Sequence, residues 1–299
     1  MKVVAIVQAR MGSTRLPNKV MKKINGVPLI KVLLSRLITA NEVEEVVVAT
    51  SWDEKNEVLV DFLHSTGFKC ERGSEEDVLD RYLKVAAKYS ADIVVRITGD
   101  CPLVDPNLVD ACVRNFKDFK VDYYSNNHSE TYPDGLDVEV ISFNALKQAS
   151  LKATSNYDRE HCTPFLRKGG AFFSGEMKSE IDYSDMRWTV DESEDFEVIE
   201  NIFNHFAPDI YFSWLDVIEL TKNKPQLFLA NKNIIRNEGG RMGEGQKLWK
   251  RAKQVIPGGN MLLSKRSEMF LPDEWPSYFS RSKGCRVWDM DDNEYVDMS

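Results

Sequence analysis

Three cations, Arg10, Arg15 and Lys19, stand close together in Gln8-Ala9-Arg10-Met11-Gly12-Ser13-Thr14-Arg15-Leu16-Pro17-Asn18-Lys19, and the chain carries no Asp or Glu from Met1 to Ala40. Fixed cations and turn N–H groups in an acid-free loop can neutralise a polyanion such as a triphosphate, with Gly12 and Ser13 offering backbone or hydroxyl donors and Ala9 as a further binding-site residue. The stretch has neither P-loop spacing nor Gly-x-Gly-x-x-Gly, so it is not one of the common phosphate loops. The plainer reading is a basic surface turn that solvates itself. A second candidate is Asp100, in Arg96-Ile97-Thr98-Gly99-Asp100-Cys101-Pro102-Leu103. A carboxylate that follows a glycine at a strand end can hold Mg2+ against phosphate oxygens; it can equally cap the turn that runs through Pro102. A third stretch, Arg187-Trp188-Thr189-Val190-Asp191-Glu192-Ser193-Glu194-Asp195-Phe196, again sets an Asp where a strand gives way to a helix. There Ser193 reads as an N-cap, with Glu194 and Asp195 in the first turn.

The elements that would position these residues alternate. Residues 3–7, 43–50, 68–71 and 92–98 read as strands, the consecutive valines at 46–48 pointing to a sheet buried on both faces. Helical spacing covers 28–40, 54–65, 75–89 (with Ser74 as N-cap) and 107–116, the last opened by Asp105-Pro106. This rhythm predicts an α/β fold with a doubly wound, mostly parallel sheet. From residue 121 the rhythm changes. Residues 123–127 and 136–142 read as strands of mixed direction, 156–167 as a helix, 172–183 as irregular and hairpin-like, and 186–190 as a strand. Amphipathic helices follow at 193–206 and 213–221. The expected organisation is a main domain over 1–230, a Gly-rich linker over 231–245 and a short C-terminal appendage over 246–299. In the appendage a helix over 244–255 precedes Pro257-Gly258-Gly259, and 284–298 reads as a hairpin turning at 291–293.

Net charge is −8, so nonspecific nucleic-acid binding is not expected and the basic start is a local exception. The five cysteines include no Cys-x-x-Cys, which argues against a disulfide scaffold or a structural zinc site and for reduced thiols in a cytoplasmic protein. No stretch approaches the length of a membrane span and the N-terminus has no signal-peptide pattern. The expected partners are therefore small molecules, with no nucleic acid and no membrane.

The pattern Ala-Arg-x-Gly-Ser-x-Arg-Leu-Pro-x-Lys resembles the signature turn of sugar-activating nucleotidyltransferases, the cytidylyltransferases in particular, and most closely the spore-coat-polysaccharide branch related to the enzymes that make CMP-sialic acid and CMP-Kdo. The resemblance runs from about Met1 to Leu220. It implies CTP as co-substrate and a nucleotide-diphospho-sugar transferase-like fold. It gives Arg10, Arg15 and Lys19 the triphosphate, makes Asp100 of Gly-Asp-x-Pro a metal ligand, and assigns Asp191 of Val-Asp-x-x-Glu-Asp as the ligand that completes the Mg2+ site. The loop Arg72-Gly73-Ser74-Glu75-Glu76-Asp77-Val78-Leu79-Asp80-Arg81 resembles the family's nucleoside-holding segment, with Arg72, Ser74 and Arg81 as contributors. An exposed helix with an Asp77–Arg81 pair is the alternative. The resemblance also implies a homodimer. The last sixty or so residues resemble instead the opening of class III aminotransferases of the glutamate-1-semialdehyde type, through Ile-Pro-Gly-Gly and Gly-x-x-Val-Trp-Asp-x-Asp-x-Asn-x-Tyr-Val-Asp. The lysine for pyridoxal phosphate would lie beyond Ser299, so the chain reads as the front of a two-enzyme polypeptide.

Acceptor candidates fall in the mixed region: Asn126, Asp134, Asp137, Glu139, Glu160, His161 and Arg187. Asp137 and Glu139 alternate on the expected strand and would share a face, and the segment holding Glu160 and His161 resembles one near the family's acceptor pocket. The expected reaction is in-line attack by an acceptor oxygen on the α-phosphorus of CTP, with pyrophosphate leaving. The acceptor would be an acidic sugar or a small phosphate or phosphonate. Two other readings stand beside it: a uridylyl- or guanylyltransferase of the same fold, whose first turn would be longer and richer in glycine, and a non-catalytic nucleotide-binding module of an aminotransferase.

Overall fold

β1 (Val3–Gln8) is apolar on both faces: Val3, Ala5 and Val7 enter one hydrophobic cluster, Val4 and Ile6 the other. Such a strand belongs at the centre of a parallel sheet covered on both sides, and that is where it lies. The computed structural model describes residues 1–167, 170–234, 236, 244–259, 276–291 and 293–296, and the chain divides into two units, Met1–Asn233 and Ile234–Ser299.

In chain order the first unit places β2 (Lys23–Ile24), β3 (Val27–Pro28), α1 (Leu29–Leu37), β4 (Glu45–Ser51), α2 (Glu57–Ser65), β5 (Lys69–Gly73), α3 (Val78–Lys88), β6 (Ile93–Thr98) and α4 (Pro106–Phe119). Then come β7 (Tyr123–Ser125), β8 (Glu139–Ser142), α5 (Phe143–Lys152), α6 (Asn156–His161), α7 (Pro164–Arg167), β9 (Ser174–Glu176), α8 (Ser193–Phe206) and α9 (Trp214–Asn223). The main sheet runs β5-β4-β1-β6-β8-β7-β9. Only β8 runs against its neighbours; the other pairings are parallel. Helices α1, α2 and α4 pack on one face and α3 and α5 on the other, while α8 and α9 build a third apolar cluster around Trp188. After β1 the chain moves outward to β4 and β5, then crosses back to β6 on the other side of β1. The order therefore reverses between β1 and β6, and a crevice at the carboxyl ends of those strands is where open α/β sheets bind ligands.

Several expectations change. Residues 75–77 are not helical: Asp77 caps α3 by accepting from the Asp80 N–H, and the Ser74 hydroxyl accepts from the Asp77 N–H one turn earlier. Ser193 is not the cap of α8; Glu192 is, in a capping box with Asp195. The helix expected over 156–167 is two short ones, broken at Cys162 (φ 69°) before Pro164, which cannot continue a helix from the preceding turn. Strand β8 starts at Glu139, so Asp137 lies outside it and the alternation that would pair the two on one face does not reach Asp137. Residues 172–183 form no hairpin; β9 joins β7 in parallel. Residues 186–190 make a single bridge, Asp134 to Arg187. Helix α5 is absent from the sequence reading. Its buried face is Ala145, Leu146 and Ala149, too weak a stripe to stand out, and β8 passes into it without a Gly or Pro to mark the change.

In the second unit a helix, Glu244–Val255, and three antiparallel strands, Phe279–Lys283, Arg286–Asp289 and Glu294–Val296, are described. Asp289 organises the turn by accepting from the N–H groups of Asp291 and Asn293, the Asn293 amide and the Tyr295 hydroxyl. Asp292 and residues 297–298 of the expected hairpin, and residues 235 and 237–243 of the expected linker, lie outside the described residues.

Candidate functional site

The cationic turn leaves β1 at the reversal of strand order, and its neighbours fix its course. The Met11 N–H donates to the Asn56 side chain (2.8 Å), whose amide donates to the Ser51 hydroxyl at the end of β4 (2.8 Å). Asn18 takes the left-handed conformation (φ 59°), turning the chain so that a short 3-10 segment carries Lys19 back toward the sheet. Gly99 closes the other side. Its N–H donates to the Gln8 carbonyl (2.8 Å), and a Cβ there would stand 2.8 Å from that oxygen. Only glycine lets the end of β6 press so closely on the end of β1, and Asp100 follows at once.

Asp191 arrives from far along the chain, fastened to the same place. The Val190 N–H donates to the Asp100 carbonyl (2.8 Å), and Gly135 (φ 105°) leaves room for the Thr189 backbone beside it, where a Cβ would meet the nitrogen at 2.5 Å. The Lys19 ammonium then bridges the two carboxylates, at 2.9 Å from Asp100 and 2.8 Å from Asp191. Burial alone would raise the Asp100 pKa, but Lys19 and the Thr98 hydroxyl hold it well below the usual carboxylate range; burial would lower that of Lys19, but the two carboxylates hold it raised. Arg15 adds contacts to Asp191 (3.1 Å) and Glu192 (3.2 Å), and Arg10 reaches Glu75 (2.6 Å). Gly12 is exposed, with open space where a side chain would stand, and the Ser13 hydroxyl accepts from the Leu16 N–H (3.4 Å). Ala9 is buried, its N–H donating to the Ala49 carbonyl of β4.

Behind Asp191 sits Arg187, buried, with its guanidinium on Asp134 (2.8 Å), Asp195 (2.9 and 3.0 Å) and Asp191 (3.2 Å). Asp195 also accepts from the N–H groups of Asp191 and Glu192, so the cap of α8 and the orientation of Asp191 rest on one set of bonds. Asn231, placed by sequence at the start of the linker, is 4% exposed; its amide donates to Asp195 and to the Arg187 carbonyl, both at 2.9 Å. Nothing in the local sequence marks Asn231.

The nucleoside candidates lie at the ends of β4 and β5. Arg72 donates to the Ser51 and Asp53 carbonyls, pairs with Glu57 and lies over the Trp52 ring. Arg81 is 3% exposed and donates to the Ser74 carbonyl (2.6 Å), its stem against Gly73. The acceptor candidates scatter. Asn126 is buried and ties its side chain to the Leu136 carbonyl and the Val138 N–H, both at 2.8 Å. Asp137 is half-buried, Glu160 exposed and His161 half-buried against Tyr157. Glu139 is 1% exposed, paired with Arg96 and Arg167 and hydrogen-bonded by the Tyr123 hydroxyl at 2.6 Å. Burial would raise its pKa, but the two guanidinium groups hold it down at about 2. Arg96, Tyr123 and Arg167 escaped sequence reading because their partner Glu139 lies on another element: Arg96 and Tyr123 meet it across the sheet, and Arg167 reaches it from α7.

No group of three or more metal-ligating side chains occurs among the described residues. The Asp100–Asp191 pair nonetheless suits a hard cation of the Mg2+ kind, which binds through one or two carboxylates and completes its shell with water and substrate phosphates. Two carboxylates already converging on one ammonium supply that donor set.

The comparisons with known proteins decide the family. Residues 4–234 match the family model described as Cytidylyltransferase. The chain belongs to the cytidylyltransferase family. Among relatives, it is 34% identical over 237 residues to an uncharacterized protein of Methanocaldococcus jannaschii, covering 78% of this chain and 96% of that one. It is 32% identical over 233 residues to the spore coat polysaccharide biosynthesis protein SpsF of Bacillus subtilis, covering 75% and 95%. Among solved structures, a cytidylyltransferase from Leptospira borgpetersenii aligns with a TM-score of 0.75 at 33% identity, over 79% of this chain and all of that one. The cytidylyltransferase match covers the unit built on the main sheet, and no helix among the described residues is long and apolar enough to cross a membrane.

Proposed function

We propose that this cytidylyltransferase transfers CMP from CTP to an acidic sugar or a small phosphate or phosphonate acceptor, with Mg2+ as cofactor and pyrophosphate as the leaving product. The observation that carries the reading is the Lys19 ammonium bridging Asp100 and Asp191 where the strand order reverses. Arg10, Arg15 and Lys19 balance the triphosphate charge, while Ala9, Gly12 and Ser13 line its approach. Asp100 and Asp191 would hold Mg2+, which when bound neutralises phosphate charge. Arg187 acts from behind, fixing Asp191. Arg72, Ser74 and Arg81 frame the nucleoside. An ionised phosphate or phosphonate acceptor needs no general base; a sugar hydroxyl needs one. Positioning and electrostatics do most of such chemistry.

Residues 246–299 are proposed as the opening of an aminotransferase, supported by the Ile-Pro-Gly-Gly and Val-Trp-Asp-x-Asp-x-Asn-x-Tyr runs. Pyridoxal phosphate would belong to a downstream region, and a cytoplasmic homodimer is the proposed setting. The test is pyrophosphate release from CTP, UTP, GTP and ATP with Mg2+ over a panel of sugar acids, phosphates and phosphonates. Release with CTP and at least one acceptor is expected. Nucleotide binding without release from any member would favour the non-catalytic module, and a preference for UTP or GTP would move the enzyme to another base.

A further inference from the structure

A second polar system crosses the sheet beside the Asp100–Asp191 pair and is not used by the nucleotide chemistry. Arg96 on β6 and Glu139 on β8 are register partners and form an ion pair. Arg96 also donates to the side chain of Gln8, the last residue of β1 (3.1 Å). On the far side Arg167 pairs with Glu139, donates to the Tyr123 hydroxyl on β7 (2.9 Å), and reaches the Asn127 side-chain oxygen (2.9 Å). The line runs from the end of β1 to the end of β7 and holds two guanidinium groups against one carboxylate. Among these groups one guanidinium is in excess, and the excess sits on Arg167, the more exposed of the two. A partly exposed guanidinium offers an anion a charge-assisted contact.

The surplus faces a cleft. Arg167 keeps 30% of its side chain exposed, and with Tyr123, His128, Ser174, Gly175 and Glu176 it lines a cavity of about 200 Å³. Ser174 and Glu176 come from β9, at the sheet edge. The Glu176 carboxylate is held by the Ser129 hydroxyl (2.5 Å) and by Lys178 (2.8 Å), whose side chain is 55% exposed. An exposed ion pair of that kind contributes little, so a ligand ammonium can take the place of Lys178. The cleft thus offers a guanidinium wall and a carboxylate wall. Because β7 and β9 run parallel to each other and share the direction of β6, their carboxyl ends lie on the edge of the sheet that carries Asp100. Two strand spacings separate β6 from β7 and a third reaches β9, about 10 and 14 Å, so an acceptor seated in the cleft lies along the same edge as Asp100.

We propose that this cleft is the distal subsite for the acceptor and that it selects a small acid which also carries an amino group, Arg167 receiving the anionic group and Glu176 the ammonium. The inference deepens the cytidylyltransferase reading and rests on it for the word acceptor, while the binding preference can be measured alone. The probes are two matched pairs, 2-amino-2-deoxygluconate against gluconate and glucosamine 6-phosphate against glucose 6-phosphate, each of which keeps a free hydroxyl as nucleophile and which together separate a carboxylate from a phosphate as the anionic group. Calorimetry on the full chain should show the amino member of at least one pair binding roughly tenfold tighter, the scale of one charge-assisted contact. Glu176→Gln, a change at an exposed contact, should bring that ratio close to one. Arg167→Gln should weaken both members of the pair by about tenfold or more. Arg167→Lys, which keeps the charge on Glu139, should recover part of that loss and guards against a folding defect. Equal binding within both pairs, no binding of any probe, or an unchanged ratio in Glu176→Gln overturns the proposal. Selective binding without pyrophosphate release in the assay above would overturn the transferase reading and leave the subsite standing.

Discussion

Asp100→Asn should lower the rate of pyrophosphate release from CTP by a factor on the order of a hundred to a thousand, the usual loss when one well-placed charge-stabilising group leaves an active site. The substitution keeps the shape of the side chain and removes only its charge. The backbone at this position is fixed independently, through the Gly99 N–H on Gln8 and the Val190 N–H on the Asp100 carbonyl, so the fold around it should persist. The loss should therefore appear in turnover at saturating CTP, beyond the modest fall in melting temperature that comes with losing the Lys19–Asp100 ion pair. Turnover equal to the parent at saturating Mg2+ would take Asp100 out of the chemistry and leave it as a structural partner of Lys19.

Lys19→Met is the second large effect, and it separates two consequences of one ammonium. Turnover should fall by roughly a hundredfold because a cation is lost from the triphosphate path. Stability should fall by about 1–3 kcal/mol, since two largely buried carboxylates lose their shared partner. The pH dependence gives the sign. In the parent the Asp100 pKa is depressed, so its contribution is present above the unfolded value, about 3.9, and is lost as pH falls toward the folded one. Without Lys19 the depression weakens, because burial is then opposed by the Thr98 hydroxyl without the ammonium. The stability difference between parent and variant should then shrink as pH falls below about 4, where the parent gives up the Asp100 contribution. Parallel melting curves for the two proteins over that range would refute the argument.

Much of the nucleotide half was legible in sequence because its signals are local. β-branched runs marked β1, β4 and β6, the Asp105-Pro106 pair marked the start of α4, and the apolar spacing over 193–206 marked α8. Asp100 and Asp191 stood out because each follows a strand-like run, and the structure brings both to Lys19. The other half depends on contacts that no local pattern encodes. Glu139 looked like a candidate for gripping a ligand, yet register sets it against Arg96 and the fold brings Arg167 onto it. Arg187 likewise turns out to be a buried brace for three aspartates rather than a group open to an acceptor, and Asn231, which completes the brace, lies in a polar run that sequence alone reads as connecting chain. Alternation says which side of a strand a residue takes; it does not say what stands opposite.

The bridge between Lys19 and the two aspartates has a thermodynamic corollary. On the proposed reading a divalent ion arriving alone would compete with an ammonium already seated, whereas a nucleotide arriving with it would give that ammonium phosphate oxygens to turn to. Each ligand thereby lightens the other's task, and linkage makes the benefit mutual. Titrations of CTP with and without Mg2+, and of Mg2+ with and without CTP, should reveal equal and favourable coupling in both directions; additive binding would mean the lysine never has to let go.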